Sequence, residues 1–243
     1  MPDVRLPKKL LGPSGWCQGC GHGVVVRLIA EVLDELGIEQ NTVAVTDVAC
    51  CSNAMAFGAG MGIDSVMAAH GRDIAVANGV KGARPDSIVY CYFGDGAAYS
   101  IGSAELVHAA LRGDNITVVI LNNTVYGMTG GQMAPTSLPG EKTSSSPYGK
   151  DGDKYGVLNL VDLIGNLNAT YIARGEIYDV ATTAKAKSYI KKAFQNQIDG
   201  KGFSIVEILA PCPTNLHMTP LQCKKFMHEE ATKYFPTGEF VDK

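Results

Sequence analysis

Two rhythms of apolar positions alternate along most of the chain. Residues 22–37 place Val25, Ile29, Val32, Leu33 and Leu36 at helical spacing and close on a glycine, which predicts a helix with its C-terminal cap. Residues 42–48 then alternate toward Val43, Val45 and Asp47, reading as a strand closed by Cys50, Cys51 and Ser52. Residues 88–93 and 116–121 are continuous apolar or aromatic runs, the pattern of strands buried on both faces, with a helix between them. Beyond these, helices are predicted over 158–167 and 180–196 and strands over 169–174 and 203–209. This alternation predicts an α/β fold with a doubly wound, mainly parallel sheet.

Three stretches break the rhythm. Residues 52–69 are rich in Gly, Ala and Met, consistent with tight packing of backbone against a neighbour. Residues 127–155 are dominated by Gly, Ser, Thr, Pro and Lys without a period, too long for an ordinary connection, so this loop is expected to be functional or docked on a partner. Residues 219–234 read as an exposed helix or tail. No internal repeat is evident, and a single domain over residues 1–243 is expected.

Composition narrows the classes. The chain is 46% hydrophobic and 19% charged, ordinary for a globular protein with a substantial core. A net charge of −3 and no Lys/Arg cluster argue against a nucleic-acid partner. No apolar run approaches a membrane span, and residues 1–10 are charged without the apolar core of a signal peptide, so a cytoplasmic protein without a membrane partner is expected. Seven cysteines, an odd number, favour thiol chemistry or metal binding over a disulfide framework.

The chemistry concentrates at strand ends. In an open parallel sheet ligands sit where strands turn into helices at their carboxyl ends, and Gly94-Asp95-Gly96 stands at one such end, Asn122-Asn123 at the next. Gly94 and Gly96, followed by Ala97, allow a tight turn and close approach of an anion to the backbone. Asp95, the Asn123 amide oxygen and a backbone carbonyl at Val125 would give Mg²⁺ three of its oxygen ligands, with phosphate and water completing the shell. Each motif alone could be a surface turn or a cap; on matched strand ends the pair is far more specific. Cys17-Gln18-Gly19-Cys20 is open to reading as a zinc half-site, a redox dithiol or a cluster half-site. With Cys50 or Cys51 and Cys212 also at strand ends, four thiolates could converge and suit iron and sulfide. Cys91, inside an apolar strand, reads as a buried small hydrophobe, and Cys223 in the tail as a plain thiol.

The stretch from Gly94 to Asn123 resembles the thiamine diphosphate fingerprint, a Gly-Asp-Gly followed by Asn-Asn. More specifically, Trp16-Cys17-Gln18-Gly19-Cys20-Gly21-His22, Ala49-Cys50-Cys51-Ser52, His70-Gly71-Arg72, Gly79-Val80-Lys81, Tyr126-Gly127-Met128-Thr129-Gly130-Gly131-Gln132 and Ala210-Pro211-Cys212 resemble, in order, the β subunits of 2-oxoacid:ferredoxin oxidoreductases. That resemblance implies thiamine diphosphate held through Mg²⁺ on Asp95, Asn123 and the Val125 carbonyl. It also implies one [4Fe–4S] cluster on Cys17, Cys20, Cys51 and Cys212, with Cys50 competing for the third place; Cys51 is preferred because Ser52 follows it. Gly127, Met128 and Thr129 would lie toward cofactor and substrate, and His22 would be the catalytic candidate, against the alternative of a plain cap residue.

The implied reaction is coenzyme A-dependent oxidative decarboxylation of a 2-oxo acid to acyl-CoA and CO₂, with electrons leaving through the cluster to ferredoxin. An α subunit would bring the pyrimidine-side domain and its glutamate, with γ and ferredoxin-like subunits and external ferredoxin as further partners, so this chain alone is expected to be inactive. Some relatives carry Lys where this chain has Gly130, which favours a branched-chain substrate such as 3-methyl-2-oxobutanoate over 2-oxoglutarate. The competing expectations are a non-oxidative thiamine decarboxylase or synthase subunit, which needs no iron, and a non-enzymatic zinc or electron-transfer module. His70 and Arg72 are left between a cluster role and a subunit contact, and His108 reads as a surface residue beside Glu105 and Arg112.

Overall fold

The computed structural model describes residues 6–12, 15–55 and 60–243. In chain order its elements are α1 (His22–Leu36), β1 (Thr42–Thr46), β2 (Asp64–Met67), α2 (Asp73–Ala83), β3 (Ile88–Gly94), α3 (Ser103–Arg112), β4 (Thr117–Asn122), β5 (Val125–Tyr126) and β6 (Gln132–Met133). They continue with α4 (Leu160–Ile164), β7 (Tyr171–Glu176), α5 (Val180–Ile198), β8 (Ser204–Leu209), α6 (Pro213–Leu216), α7 (Pro220–Phe226), α8 (Thr232–Tyr234) and β9 (Gly238–Asp242). Two punctuation marks act as the pattern requires. Gly37 takes φ 65° and turns its N–H onto the last carbonyls of α1, and Asp179 with Thr182 forms a capping box at the start of α5.

Seven strands form one sheet in the order β2-β1-β3-β4-β8-β7-β9, with every pairing parallel except β9 on β7. The residues of β1, β4, β7 and β8 are buried throughout, so both sheet faces are covered, as a parallel sheet demands. α1 lies against α5, and Lys187 and Lys191 of α5 reach Glu31 and Glu35 of α1. One apolar core runs through β1, β3, β4, β7 and β8 with Val25, Ile29, Leu33, Ile190 and Phe194 from these two helices.

Several sequence expectations need correction. Residues 219–234 are not an exposed tail: Cys223, Met227 and Ala231 are buried, α7 runs into a π-helical turn at Met227–Ala231, and the chain returns as β9. Cys223 is a buried packing residue beside Val125, Cys212 and Leu216. The stretch 52–69 divides: a Cβ on Gly60 would meet the Ala54 carbonyl oxygen at 2.0 Å, the close approach expected, whereas β2 is an exposed edge strand. Its residues 56–59 lie outside the described residues. α4 is shorter than predicted, and α2 and β2 were not predicted at all.

Arg174 on β7 is fully buried, and its site is built from distant segments. Its Nε donates to Glu207 of β8, Nη1 to the Pro236 carbonyl at 3.0 Å and Nη2 to Asn159 Oδ1 at 2.8 Å, with Phe235 and Phe240 rings over the guanidinium. Glu207 also accepts from the Tyr99 hydroxyl at 2.7 Å and the Asn122 amide at 2.9 Å. The C-terminal strand is thus tied to the floor beneath the ends of β3 and β4.

Candidate functional site

The chain leaves β1 for β2 on one side of the sheet and later extends from β3 to β4 on the other, so β1 and β3 flank the point where winding reverses. In such sheets that crevice is where ligands bind. A cavity of about 310 Å³ opens there, lined by Val48 to Cys51 after β1, Gly94 to Ala97 after β3, and Asn123 and Val125 to Thr129 after β4, with His22 and His70. The paired motifs therefore share one cavity, on adjacent strands whose register sets Gly94 beside Leu121.

Asp95 is 1% exposed, and its Oδ2 accepts from the Thr136 hydroxyl. Burial pushes its carboxyl up to about 7, with the nearby Glu207 charge adding to the rise and the Thr136 hydrogen bond opposing it. A divalent cation would reverse that penalty. Asn122 and Asn123 shape the adjoining turn: Asn122 Oδ1 accepts from Thr124 N at 3.2 Å and Asn123 Oδ1 from Val125 N at 3.3 Å, holding Thr124 at φ 65°. Glu141 Oε1 accepts from the Thr124 hydroxyl at 2.8 Å, and the Ser137 hydroxyl donates to the Thr124 carbonyl. Glu141 is itself raised to about 7 by burial. The donor set is all oxygen with a buried carboxylate, which fits Mg²⁺. The Tyr126 hydroxyl donates to the Gly96 carbonyl at 3.0 Å, and a Cβ on Gly96 would meet the Tyr126 ring at 2.3 Å, so this position tolerates no side chain while the ring stays.

The cysteine turn docks on the same end of the sheet. Gly21 N donates to the Pro211 carbonyl at 2.9 Å, and a Cβ on Gly21 would meet Ala210 at 2.5 Å. Gly19, at φ +75°, faces Pro220 in the same way. This brings Cys17 and Cys20 to Cys212. The third thiol beside them is Cys50: from the Cβ direction of Gly127, Cys50 Sγ is 3.4 Å and Cys212 Sγ 3.8 Å away. Cys51 instead points inward, its thiol donating to Asp47 Oδ1 at 2.6 Å, and is fully buried. Cys50 rather than Cys51 thus lies on the side of Cys212, because the 3₁₀ turn Cys50–Ala54 sends consecutive side chains to different sides. Burial raises Cys20 to about 12 and Cys50 to about 11, and each is raised further by the charges of Cys212 and Cys17. Among the described residues no group of three or more His, Cys, Asp or Glu side chains is gathered closely enough to hold a single metal ion.

His22 is buried, its Nδ1 2.7 Å from the Tyr92 hydroxyl and its ring stacked on Trp16, whose indole donates to the Cys50 carbonyl at 2.7 Å. Burial lowers its imidazole to about 3, so it stands neutral at the cavity wall. Met128 is 50% exposed and Thr129 bonds Gln132 at 2.6 Å, both at the cavity rim. The residues that sequence reasoning missed are Tyr126 as a brace and Thr136, Ser137 and Glu141, all three from the aperiodic loop. Only the length of that loop signalled them.

Comparison with known proteins follows this geometry. The family model for the thiamine pyrophosphate enzyme C-terminal TPP binding domain matches residues 47–208. The ketoisovalerate oxidoreductase subunit VorA of Methanothermobacter thermautotrophicus is 43% identical over 94% of this chain, which spans only 48% of the length of that relative. The 2-oxoglutarate synthase subunit KorB of Archaeoglobus fulgidus is 34% identical over 89% of this chain and 76% of its own length. Among solved structures, the 2-oxoglutarate:ferredoxin oxidoreductase from Magnetococcus marinus with 2-oxoglutarate, coenzyme A and succinyl-CoA bound aligns over 99% of this chain and 86% of that one, with a TM-score of 0.79 and 26% identity.

Proposed function

This chain belongs to the thiamine diphosphate-binding β subunits of the 2-oxoacid:ferredoxin oxidoreductases, and from that membership we propose that it forms the decarboxylating and electron-collecting half of such an enzyme. Asp95, Asn123 and the Val125 carbonyl hold Mg²⁺ and through it the diphosphate, with Gly94, Gly96 and Ala97 leaving room for the phosphates and Gly127, Met128 and Thr129 closing the rim. Thiamine diphosphate, when bound, supplies a carbon nucleophile that lets a 2-oxo acid release CO₂. Cys17, Cys20, Cys50 and Cys212 would hold a [4Fe–4S] cluster, which when bound would supply a one-electron acceptor, with ferredoxin as the final electron acceptor and coenzyme A as the acyl acceptor of the proposed reaction. An α subunit supplies the pyrimidine side, and γ and ferredoxin-like subunits complete the assembly. All of this chain's groups lie within one domain.

The observation that carries this reading is the position of Gly127. It lines the same cavity as Asp95, Asn123 and Cys50, and Cys50 and Cys212 Sγ lie 3.4 and 3.8 Å from where its Cβ would stand. A one-electron acceptor would thus adjoin the site of decarboxylation, which a non-oxidative decarboxylase has no use for. His22, neutral and held by Tyr92 and Trp16, orients groups at the boundary between the two sites and excludes water there.

A branched-chain 2-oxo acid is the substrate we favour. Val48, Ala49, Ala97 and Met128 give the cavity apolar wall, and Gly130 leaves the neighbouring loop without a cation for a second carboxylate. The higher identity to the ketoisovalerate relatives supports the same choice. The test is coenzyme A-dependent ferredoxin reduction by the complex purified with its partners. A kcat/KM for 3-methyl-2-oxobutanoate about tenfold or more above that for 2-oxoglutarate is expected, given that one or two extra apolar groups are worth this much in a pocket. The reverse order would assign the chain to 2-oxoglutarate.

A further inference from the structure

The titratable groups around the cavity are mostly accounted for. Asp95 belongs to the cation site, Cys50 to the cluster, Cys51 donates to Asp47, and His22 is buried between Tyr92 and Trp16. Among the described residues no Lys or Arg lines the cavity. Arg72, next to the remaining histidine in sequence, is occupied elsewhere, donating to the Ile101 carbonyl at 3.0 Å and pairing with Glu105. His70 lines the cavity with its side chain 29% exposed, and its Nδ1 lies 2.7 Å from Oδ2 of Asp47, a carboxylate with no exposure. Its ring also tilts against Tyr126, 6.3 Å between centroids, while its contact with Asp47 is a close approach rather than an aligned hydrogen bond. The backbone fixes it as well: Gly71 takes φ +71° and sits where a Cβ would meet Gly102 N at 2.8 Å.

We propose that His70, braced by Asp47, is the group in this cavity that binds the carboxylate of the incoming 2-oxo acid. The inference rests on the function proposed above and adds to it a substrate-recognition residue. With Asp47 set 2.7 Å from Nδ1, the other ring nitrogen, Nε2, is left as the donor for an anion. The opposite side of Asp47 is satisfied by the Cys51 thiol, so the brace is anchored in the core rather than shared with solvent. The arrangement supplies a side-chain donor to a cavity that otherwise offers an acidic substrate mainly apolar wall and a cation site taken up by the diphosphate. Cys51 acquires a role through the same contact: it positions Asp47.

The test compares two non-reacting probes on the purified, cofactor-loaded complex by titration calorimetry: 3-methyl-2-hydroxybutanoate and its uncharged amide. His70→Ala is expected to weaken the acid about tenfold or more, the scale of one charge-assisted hydrogen bond, and to leave amide binding and the KM for coenzyme A unchanged. His70→Lys, which keeps a donor at this position, is expected to recover part of the acid affinity, and Asp47→Asn to weaken acid binding in the same direction as His70→Ala. Equal acid affinity in His70→Ala and wild type would overturn the proposal, as would an equal loss for acid and amide, which marks a structural role. If His70→Ala fails to assemble with full cofactor content, His70→Gln is read by the same two criteria. Wild type that binds neither probe and oxidises no 2-oxo acid would sink the functional reading itself, an outcome distinct from a failure at His70.

Discussion

Replacing Glu207 by Gln should unfold the chain far more easily than its place in a strand suggests. Glu207 and Arg174 are both fully buried, so neither screening nor relaxation into water softens the loss. Removing one member of a buried pair and leaving the other charged costs about 3–5 kcal/mol. At roughly 2–4 °C per kcal/mol for a chain of this size, the melting temperature should fall by roughly 6–20 °C. The double variant Arg174→Met, Glu207→Leu leaves no orphaned charge, although the Tyr99 hydroxyl and Asn122 amide then lack an acceptor at about 1–3 kcal/mol each. Its loss should therefore be smaller than the sum of the two single losses, a coupling expected of residues in contact. Thermal unfolding followed by circular dichroism measures all four forms. A Glu207→Gln chain melting within about 2 °C of wild type, or a strictly additive double variant, would refute the argument that this pair supports the floor of the site.

Cys50→Ser should strip iron and acid-labile sulfide from the complex, while Cys51→Ser should retain both; the opposite result would restore the assignment suggested by Ser52. A pH effect follows from Asp95, whose folded value of about 7 lies above its ordinary 3.8. Between those values the unfolded chain has released a proton that the folded chain keeps. The stability from this group is present below about 4 and lost as pH rises to about 7. Cofactor-free wild type should thus lose melting temperature from pH 5 to pH 8 more steeply than Asp95→Asn, with Glu141 and Asp73 supplying a slope common to both. Mg²⁺ with thiamine diphosphate should restore wild type at pH 8 and leave the variant unmoved. Parallel pH profiles would refute the raised carboxyl, and an equal response of both forms to Mg²⁺ with thiamine diphosphate would remove Asp95 from the cation site.

The parts of this molecule written in local pattern were legible in its sequence, and those written in tertiary contact were not. The parallel sheet follows from apolar runs such as Ile116 to Leu121, and the location of the site from Asp95 and Asn123 standing at strand ends. The burial of one face along residues 223–235 was also encoded, though not read as such, since Cys223, Met227, Ala231 and Phe235 recur every fourth residue, and all four are buried. β9 was not: Gly238–Asp242 carries two acids in five residues and becomes a strand by pairing with β7 and covering Arg174. The Cys50 and Cys51 ambiguity is of another kind, because adjacent cysteines differ only in the turn that carries them. Thr136 meets Asp95 across 41 positions, and nothing near either residue announces the contact. The Asp47 to His70 pairing is likewise a product of β1 and the loop after β2 meeting at the sheet edge.

The central claim is that a thiamine diphosphate site and an iron–sulfur cluster adjoin one another on the same chain. Its most direct measurement is iron, acid-labile sulfide, zinc and thiamine diphosphate per β chain in the complex purified anaerobically with its partners. About four iron, about four sulfide and one thiamine diphosphate are predicted, as a Cys₄-ligated cubane requires. Zinc in place of iron, or thiamine diphosphate without any iron, would contradict the account and turn the chain into a non-oxidative decarboxylase subunit.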